Sequence, residues 1–399
     1  MPDPDLPDSL DLRNFLALVE SVPPSSSADA LAQEMGRRLG ATEVRFWIAD
    51  YSGRSVVATD TPVGGERVTR SAGRRPLDNG GYSEALRHQE IQVVSTRPDV
   101  RVLAPVTSRG ESVGVLEMVL PTEPTVEVCS YMGAACRALA YVVAGNRQFT
   151  DSYEWGMRST NFSLAAEIQR RLLPSAFSCE AGLATLAAWI EPAHSIGGDT
   201  FDFSVDRGEL HLSVTDAVGH DLQGAMLATL LVGALRNGRR RGLGLAEQAE
   251  EADAALRAYA EESQFVTGQV VRIDLETGVA SIVNAGHPLP FRLRGGELTE
   301  LDLDVDLPFG LADGPYRVTR LPLDPGDRLV FVTDGMFERE AALVDLRAEI
   351  KRTADTHPRN AVHRLTAAVV DATGGEHRDD ATVLCLDWHG ADARSGRLR

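Results

Sequence analysis

Aspartates at the ends of predicted strands are the residues of this sequence best suited to chemistry. Alternating apolar and polar residues predict a strand over 210–215, and Asp216, which has the parity of the apolar positions, should face the interior at its end. A second apolar run, 329–333, is followed directly by Asp334, so the order threonine, aspartate, small residue occurs twice. The repeat predicts one carboxylate at the end of each of two buried strands.

Two further acidic groups flank predicted strands. Asp379 and Asp380 immediately precede an apolar strand predicted over 381–388, and Asp199, with Asp202, follows a pair of glycines. Any one of these aspartates could simply close a turn or cap a helix, because aspartate favours both positions. Four groups with similar placement indicate instead that the carboxylates gather at one site.

Gathered carboxylates need a counter-charge. Two of them about 4 Å apart repel by about 4 kcal/mol at an effective dielectric constant of about 20. Lys351 is the only lysine and arginine is scarce near the motifs, so a divalent metal ion is the expected compensation. Oxygen ligands select hard ions such as Mg²⁺ or Mn²⁺. Two such ions about 3.5–4 Å apart can activate water for the hydrolysis of a phosphate ester.

Two histidines follow strand ends in the same half of the chain. His220 lies four residues after Asp216 and could donate a proton to a leaving hydroxyl, or it could order its loop by hydrogen bonding. His287 follows a predicted strand at a tight turn and could face the cleft or brace the turn. The sequence leaves both alternatives open.

Composition excludes several classes of protein. The chain has 399 residues, enough for two domains, and its net charge of −18 disfavours binding to nucleic acid or to anionic membranes. The four cysteines lack metal-ligand spacing, and the sequence contains no P-loop, no G-x-S-x-G elbow and no H-E-x-x-H motif. No apolar stretch is expected to reach the roughly 20 residues of a membrane span, and the acidic start is unlike a secretory signal. We therefore expect a cytoplasmic protein without a membrane partner.

The N-terminal third alternates short helices and strands. A helix is predicted from the serines at 25–27 to Leu39, and a strand over 43–50. The further strands are predicted over 91–95, 101–106 and 112–120, with a hairpin at 108–111 and a loop over 61–81.

A narrow apolar stripe precedes the acidic motifs. Leu164, Ile168 and Leu172 recur at helical spacing, and Pro174 ends the helix. The helix could pack on its own domain, or the stripe could pair two chains as a short coiled coil.

As an ordered set, six segments between about 163 and 387 resemble the SpoIIE/RsbU branch of the PPM (type-2C-like) metal-dependent Ser/Thr protein phosphatases. These segments are GGDTFDF, LSVTDAVGHDLQGAM, VNAGHPLPF, LPFGL, LDPGDRLVFVTDGMFE and RDDATVLCL, and EIQRRLLP just upstream is typical of the same branch. The resemblance implies an αββα sandwich of two antiparallel sheets flanked by helices over 176–390, followed by a flexible tail over 391–399. Its metal site would lie at one end of the sandwich.

The resemblance also implies site residues and two bound ions, Mn²⁺ or Mg²⁺. The metal ligands would be Asp199, Asp216, Asp334, Asp379 and the main-chain carbonyl of Ala217, and the catalytic residues would be Asp216 and His220. Asp216 would bridge both ions, Asp334 and Asp379 would hold one, and Asp199 would help to hold the other. Asp380 would lie next to Asp379 without binding an ion itself.

The substrate that the resemblance implies is phosphoserine or phosphothreonine on a STAS-domain anti-anti-sigma protein, whose dephosphorylation frees a sigma factor by partner switching. Two residues depart from the branch: Thr200 replaces an aromatic, and Asp221 replaces the last glycine of a G-H-G sequence. Asp221 favours an alternative, a catalytically weak phosphatase-like scaffold that binds and sequesters a partner. A two-metal phosphodiesterase is a third candidate, but the nine histidines are scattered rather than clustered with the aspartates.

Residues 10–145 resemble a GAF domain, an α/β sensor fold, in the segments TEVRFWIAD and RVLAPVTSRGESVGVLEMV and in a closing helix. The resemblance implies an input domain that holds a small molecule or that dimerises, and a pocket without a ligand fits it equally well. A linker helix over 146–175 would join this domain to the phosphatase. The expected architecture is thus α+β, in a homodimer gated by its N-terminal domain.

Overall fold

The computed structural model describes residues 12–59, 73–77, 80–96, 99–158, 163–191, 198–219, 221–259, 261, 263–312, 314–337, 341–342, 344–374 and 379–390. The chain divides into two compact units, Met1–Asn161 and Phe162–Arg399, called the N-terminal and C-terminal units below. His220, most of the loop predicted over 61–81 and the tail predicted over 391–399 lie outside the described residues.

The N-terminal unit is built on one antiparallel sheet. Its described strands are β1 (Glu43–Ala49), β2 (Ser55–Ala58), β3 (Arg74–Pro76), β4 (Gln92–Thr96), β5 (Asp99–Ser108) and β6 (Glu111–Leu120), in the order β3-β2-β1-β6-β5-β4. Its described helices are α1 (Leu12–Glu20), α2 (Ser27–Leu39), α3 (Gly81–His88), α4 (Val126–Asn146) and α5 (Ser152–Gly156). The helix and strands predicted for this part of the chain are confirmed. The hairpin between β5 and β6 turns at Arg109 and Gly110, both with positive φ, as a tight two-residue turn requires.

Helices α2 and α4 cover one face of this sheet. Leu31, Met35 and Leu139 pack with Phe46 and Ile48 of β1 in a continuous apolar core. Helix α4 has 21 residues and is long and apolar enough to cross a membrane, by length and composition alone. The expectation that no stretch is apolar enough is therefore wrong for α4, although one face of this helix is buried in the core of the unit.

The opposite face of the sheet carries a second apolar cluster around Trp47, which includes Leu86 of α3, and Glu117 lies beside it. Trp47 Nε1 and Tyr82 Oη both donate to Glu117 Oε2, at 2.6 and 2.7 Å. The Arg101 guanidinium lies 3.1 Å from the other carboxylate oxygen, and Arg75 stacks over the indole at 4.7 Å. The buried charge of Glu117 is thus satisfied within the unit.

The C-terminal unit contains two sheets. Its described strands are β7 (Ser178–Glu180), β8 (Ala184–Glu191), β9 (Thr200–Val205), β10 (Glu209–Ala217), β11 (Val266–Asp274), β12 (Val279–Ala285), β13 (Phe291–Arg294), β14 (Glu297–Glu300), β15 (Val305–Asp306), β16 (Thr319–Pro322), β17 (Arg328–Val332) and β18 (Ala381–Trp388). The first sheet has the order β15-β12-β11-β10-β9 with β16 paired to β12, and the second has the order β14-β13-β17-β18-β8-β7. The described pairings are antiparallel except for β12 with β15.

Helices cover both outer faces of this sandwich. The described helices are α6 (Leu164–Leu172), α7 (Asp221–Arg240), α8 (Leu245–Tyr259), α9 (Leu346–Arg352) and α10 (Pro358–Ala372). Helices α7 and α8 pack on the first sheet and α9 and α10 on the second, each through an apolar cluster of its own. A third cluster fills the space between the sheets, where Val214 and Val271 meet Phe331 and Leu384. The predicted layers of the C-terminal unit are confirmed.

The segment predicted as a linker helix over 146–175 contains two short helices, α5 and α6, instead of one continuous helix. Helix α4 ends at Asn146, and Thr150 Oγ1 accepts from the Ser152 main-chain N–H, which helps to begin α5. On α6 the buried residues are Ala165, Ala166 and Gln169. The side chain of Leu164 is 65% exposed, whereas Leu172 is partly buried against the apolar cluster of α7 and α8, so the predicted stripe packs only in part on the C-terminal unit.

Candidate active site

The acidic motifs lie at the ends of paired strands. Asp216 lies near the end of β10, and Thr200 at the start of β9 pairs with Thr215. Asp199 and Asp216 therefore lie at the same end of these two neighbouring strands of the first sheet. In the second sheet Val332 pairs with Val383, which places Asp334, just after β17, beside the residues just before β18. Each sheet therefore presents two acidic segments at one end, as the sequence predicted.

Two glycines allow these segments to approach closely. A Cβ at Gly198 would overlap the main chain of Ala217, and a Cβ at Gly335 would overlap the carbonyl of Asp380. The Ala217 main-chain N–H donates to the carbonyl of Gly198 at 3.3 Å. The glycines beside the aspartates are therefore required for packing, which brings the loops that carry the carboxylates into contact.

Asp199 connects the two sheets. Its carboxylate is 1% exposed, and Oδ2 accepts from Thr333 Oγ1 at 2.7 Å and from Thr382 Oγ1 at 2.6 Å. Burial and the nearby charges of Asp216 and Asp380 raise its pKa, while the two hydroxyls act in the opposite direction. Asp199, which leads into the first sheet, is thus held by two threonines of the second sheet. Thr333 lies just after β17, and Thr382 lies in β18.

Asp216 lies at the centre of the cluster. Burial, and then repulsion from Asp334, Asp379 and Asp380, raise its pKa to about 7, and its carboxyl is hydrogen-bonded to that of Asp334. Such a bond between two carboxyls needs a proton, because two ionised carboxylates have no donor. The pair therefore shares a proton near neutral pH when no cation balances the charge.

The two aspartates before β18 differ in their surroundings. Asp379 is exposed, whereas Asp380 is 1% exposed. The Asp380 main-chain N–H donates to Asp379 Oδ1 at 2.9 Å, and Gln169 Nε2 donates to Asp380 Oδ2 at 2.7 Å. The Asp379 side chain is thus exposed to solvent, whereas the buried Asp380 carboxylate is held by Gln169 of α6.

Asp202 is not part of this cluster. Its carboxylate accepts from Arg236 Nη2 at 2.8 Å and from Arg239 Nη1 at 3.1 Å. Both arginines belong to α7. Asp202 is thus neutralised by arginine and joins β9 to α7, so the pairing of Asp199 with Asp202 in the sequence does not extend to a shared site.

The chemistry of the cluster fits a hard divalent cation. Its donors are carboxylate oxygens, they raise one another's pKa, and the two nearest arginines of α7 are bound to Asp202. Within the described ranges, however, no three His, Cys, Asp or Glu side chains are already arranged around one ion. A cation would have to replace the hydrogen bond between Asp216 and Asp334, so the ligand roles of these residues stay a prediction.

His287 is buried beneath the cluster. Its Nδ1 lies 2.9 Å from Thr267 Oγ1, and Thr267 pairs with Asp216. Asn284 bonds both to the main-chain N–H and to the carbonyl of His287. Burial lowers the pKa of His287 to about 3, so the ring is neutral at pH 7. Of the two roles left open by the sequence, bracing the turn is the one that these contacts support.

Three polar residues of the site were not predicted. Thr333, Thr382 and Gln169 all contact Asp199 through their side chains. Both threonines belong to acidic motifs already singled out, and the glutamine belongs to the EIQRRLLP segment. The position of these three residues in the quoted segments is the only sequence signal for them. It does not predict which atoms they contact. Of the departures from the branch, Thr200 Oγ1 lies 2.6 Å from Thr215 Oγ1 within the first sheet.

A helix-flanked sandwich of two antiparallel sheets, with aspartates clustered at one end, is the arrangement that the resemblance to PP2C-type Ser/Thr protein phosphatases implies. Residues 206–389 match the model of the family described as Stage II sporulation protein E (SpoIIE). This match confirms, over these residues, the resemblance seen in the sequence.

Individual relatives are distant. Phosphoserine phosphatase RsbU of Bacillus subtilis (strain 168) is 20% identical over 235 residues, which cover 57% of this chain and 70% of RsbU. The SiaA-PP2C domain of Pseudomonas aeruginosa is 21% identical with a TM-score of 0.49, over 61% of this chain and 99% of that one. A structure of RsbU and RsbW domains from Mycobacterium tuberculosis is 24% identical with a TM-score of 0.47, over 58% of this chain and 64% of that one.

Proposed function

We propose that the protein is a metal-dependent phosphatase that hydrolyses phosphoserine or phosphothreonine on a regulatory protein. The observation that supports it best is the cluster of Asp199, Asp216, Asp334 and the pair Asp379–Asp380 in a SpoIIE-type domain. The cluster is acidic, and a phosphate monoester is an anion, so the substrate is repelled until the aspartates are neutralised. This requirement makes phosphate binding depend on cations.

In the proposed site Asp216 and the main-chain carbonyl of Ala217 would both supply oxygen ligands. Asp334 and Asp379 would hold an ion on one side, and Asp199 would help to hold an ion on the other. Mn²⁺ or Mg²⁺, when bound, would supply Lewis-acid activation of water and neutralisation of phosphoryl charge. Thr333 and Thr382 orient Asp199 through their hydroxyls. His220 is proposed as the donor of a proton to the leaving hydroxyl.

The proposed substrate is a phosphorylated STAS-domain anti-anti-sigma protein, and the proposed pathway is partner switching. The match of residues 206–389 to the SpoIIE family model and the similarity to the phosphoserine phosphatase RsbU support this class of substrate. We also propose that the N-terminal unit is a GAF-like sensor, because it has a six-stranded antiparallel sheet with helices on one face. Exposed Leu164 at the start of α6 supports a homodimer formed through this helix.

The activity is tested with the full chain and three phosphorylated probes: p-nitrophenyl phosphate, a phosphoserine peptide and a phosphorylated STAS-domain protein. We expect Mn²⁺- or Mg²⁺-dependent phosphate release that is abolished by chelation and by Asp216→Ala. The matched control is Asp371→Ala, which removes an exposed aspartate of α10. Full metal-dependent activity in the Asp216→Ala protein would overturn the assignment.

A phosphatase-like scaffold is the second candidate. The hydrogen bond between the carboxyls of Asp216 and Asp334 favours it, because such a bond satisfies the acids without a metal. Calorimetric titration with Mn²⁺ separates the two functions. A scaffold takes up little Mn²⁺, whereas the proposed enzyme binds it at the acidic cluster.

A further inference from the structure

Gln169 of α6 connects this helix to two acidic segments at once. Its side chain is 5% exposed, and Nε2 donates to the main-chain carbonyl of Asp199 at 2.8 Å and to Oδ2 of Asp380 at 2.7 Å. Asp199 leads into β9 of the first sheet and Asp380 into β18 of the second. Both hydrogens of a single amide nitrogen are therefore used to join the two sheets at the acidic end.

Helix α6 is held where this contact requires it. Ala165 and Ala166 are buried beside Gln169, and small side chains allow a helix to lie close to its neighbours. At the other end of the helix, Arg236 Nη2 donates to the carbonyl of Leu172 at 2.6 Å, while the same guanidinium binds Asp202. The position of the amide is thus fixed from both ends of α6.

The amide acts on the cluster through Asp380. The main-chain N–H of Asp380 donates to Asp379 Oδ1, so fixing the Asp380 carboxylate also orients the neighbouring exposed carboxylate. The second bond, to the carbonyl of Asp199, fixes the main chain beside the other buried acid. Both acids act on Asp216 or on each other electrostatically, so their placement determines the charge presented at the centre.

A glutamine suits this position because its amide is neutral. It supplies two N–H donors without cancelling the negative charge on which cation binding depends. An arginine or lysine would form an ion pair with Asp380 and compete with a cation, and a glutamate would add a further repelling carboxylate without an N–H to donate.

We propose that Gln169 is a positioning residue that aligns Asp199 and the pair Asp379–Asp380 for binding divalent cations, making α6 part of the active-site architecture. This inference rests on the proposed function of the site. It predicts that metal binding is lost together with the Gln169 contact, even though Gln169 is not itself a ligand.

The test compares Gln169→Leu and Gln169→Glu with Gln248→Leu in the full chain. Gln248 is an equally buried glutamine of α8 whose Nε2 donates to the carbonyl of Leu243, remote from the acidic motifs in sequence. Calorimetry with Mn²⁺ should show affinity reduced about tenfold or more in both Gln169 variants, and kcat for p-nitrophenyl phosphate should fall more than KM rises. The Gln248 variant should match the wild type in both measurements.

A metal-free measurement separates this proposal from the proposed function. In EDTA, amide hydrogen exchange at the first residues of β9 and β18 should be at least tenfold faster in the Gln169 variants, with exchange in β11 unchanged. If the wild type neither binds Mn²⁺ nor releases phosphate, the proposed function fails, while the exchange result still decides whether Gln169 aligns the segments. Mn²⁺ affinity and exchange within twofold of wild type in Gln169→Leu would overturn the proposal. If that variant does not fold, the same limits apply to Gln169→Glu, which keeps the shape of the side chain.

Discussion

The raised pKa of Asp216 makes the effect of Asp216→Asn on stability depend on pH. The folded protein holds the Asp216 proton up to a pKa of about 7, against an ordinary value of 3.8. Between these values the folded state binds more protons than the unfolded state, so the metal-free C-terminal unit loses stability as the pH rises through this window. Asparagine resembles the protonated acid and carries no charge at any of these pH values, so the variant lacks this loss.

The magnitude follows from the size of the shift. A difference of about 3 pKa units corresponds to an upper limit of about 4 kcal/mol, and Asp216 is only partly buried, so solvent screens part of its charge. We therefore expect the stability of Asp216→Asn relative to wild type to increase by about 2 kcal/mol from pH 4 to pH 8, and to change little above pH 8. For a unit of this size the change in melting temperature is about 4–8 °C.

The measurement is thermal unfolding of both proteins in EDTA at several pH values, with amide exchange in β10 to assign the transition to the C-terminal unit. Asp371→Asn, at an exposed position of α10, is the matched control and should show no such trend. Saturating Mn²⁺ should reverse the order, because ions that bind only the folded wild type stabilise it by about 2.7 kcal/mol at a concentration of 100 times Kd. A stability difference in EDTA that does not vary with pH would show that folding does not raise the pKa of Asp216.

Three further predictions concern the surroundings of the cluster. Thr382→Val removes a hydroxyl that donates to buried Asp199 and should cost about 1–3 kcal/mol of unfolding free energy; an unchanged denaturation midpoint would contradict this. Gly335→Ala should destabilise by about 1–3 kcal/mol because a Cβ there overlaps the main chain before β18. Its control Gly233→Ala, in open space on α7, should be neutral or stabilise by up to about 1 kcal/mol; equal midpoints for the two variants would show that the close approach is not needed. If the α6 stripe pairs two chains, Leu164→Glu should halve the mass measured by light scattering, and a dimer that persists would exclude this pairing.

The elements that carry the site could be predicted because each has a local pattern. The strands predicted over 329–333 and 381–388 are largely apolar runs, and the structure places them at β17 and β18. The repeat of threonine and aspartate also predicted that the acids lie at strand ends, since alternation fixes the side on which a residue emerges.

Other features depend on contacts between distant segments, which no local pattern contains. Gln169 meets Asp380 across 211 positions, and Asp202 lies near Asp199 in the sequence but is bound by Arg236 of α7. The apolar stripe of α6 left open whether its leucines pack on their own domain, and in the structure Leu164 is exposed while Ala165, Ala166 and Gln169 are buried. In each case tertiary packing, rather than propensity, decides the partner.

The proposed function requires the aspartates of the C-terminal unit to bind two hard cations that serve phosphate hydrolysis. Calorimetric titration of the full chain with Mn²⁺, alongside Asp216→Ala, tests it most directly. We expect uptake of two ions per wild-type chain, which Asp216→Ala abolishes together with phosphate release from p-nitrophenyl phosphate. Equal Mn²⁺ uptake by the two proteins would contradict it.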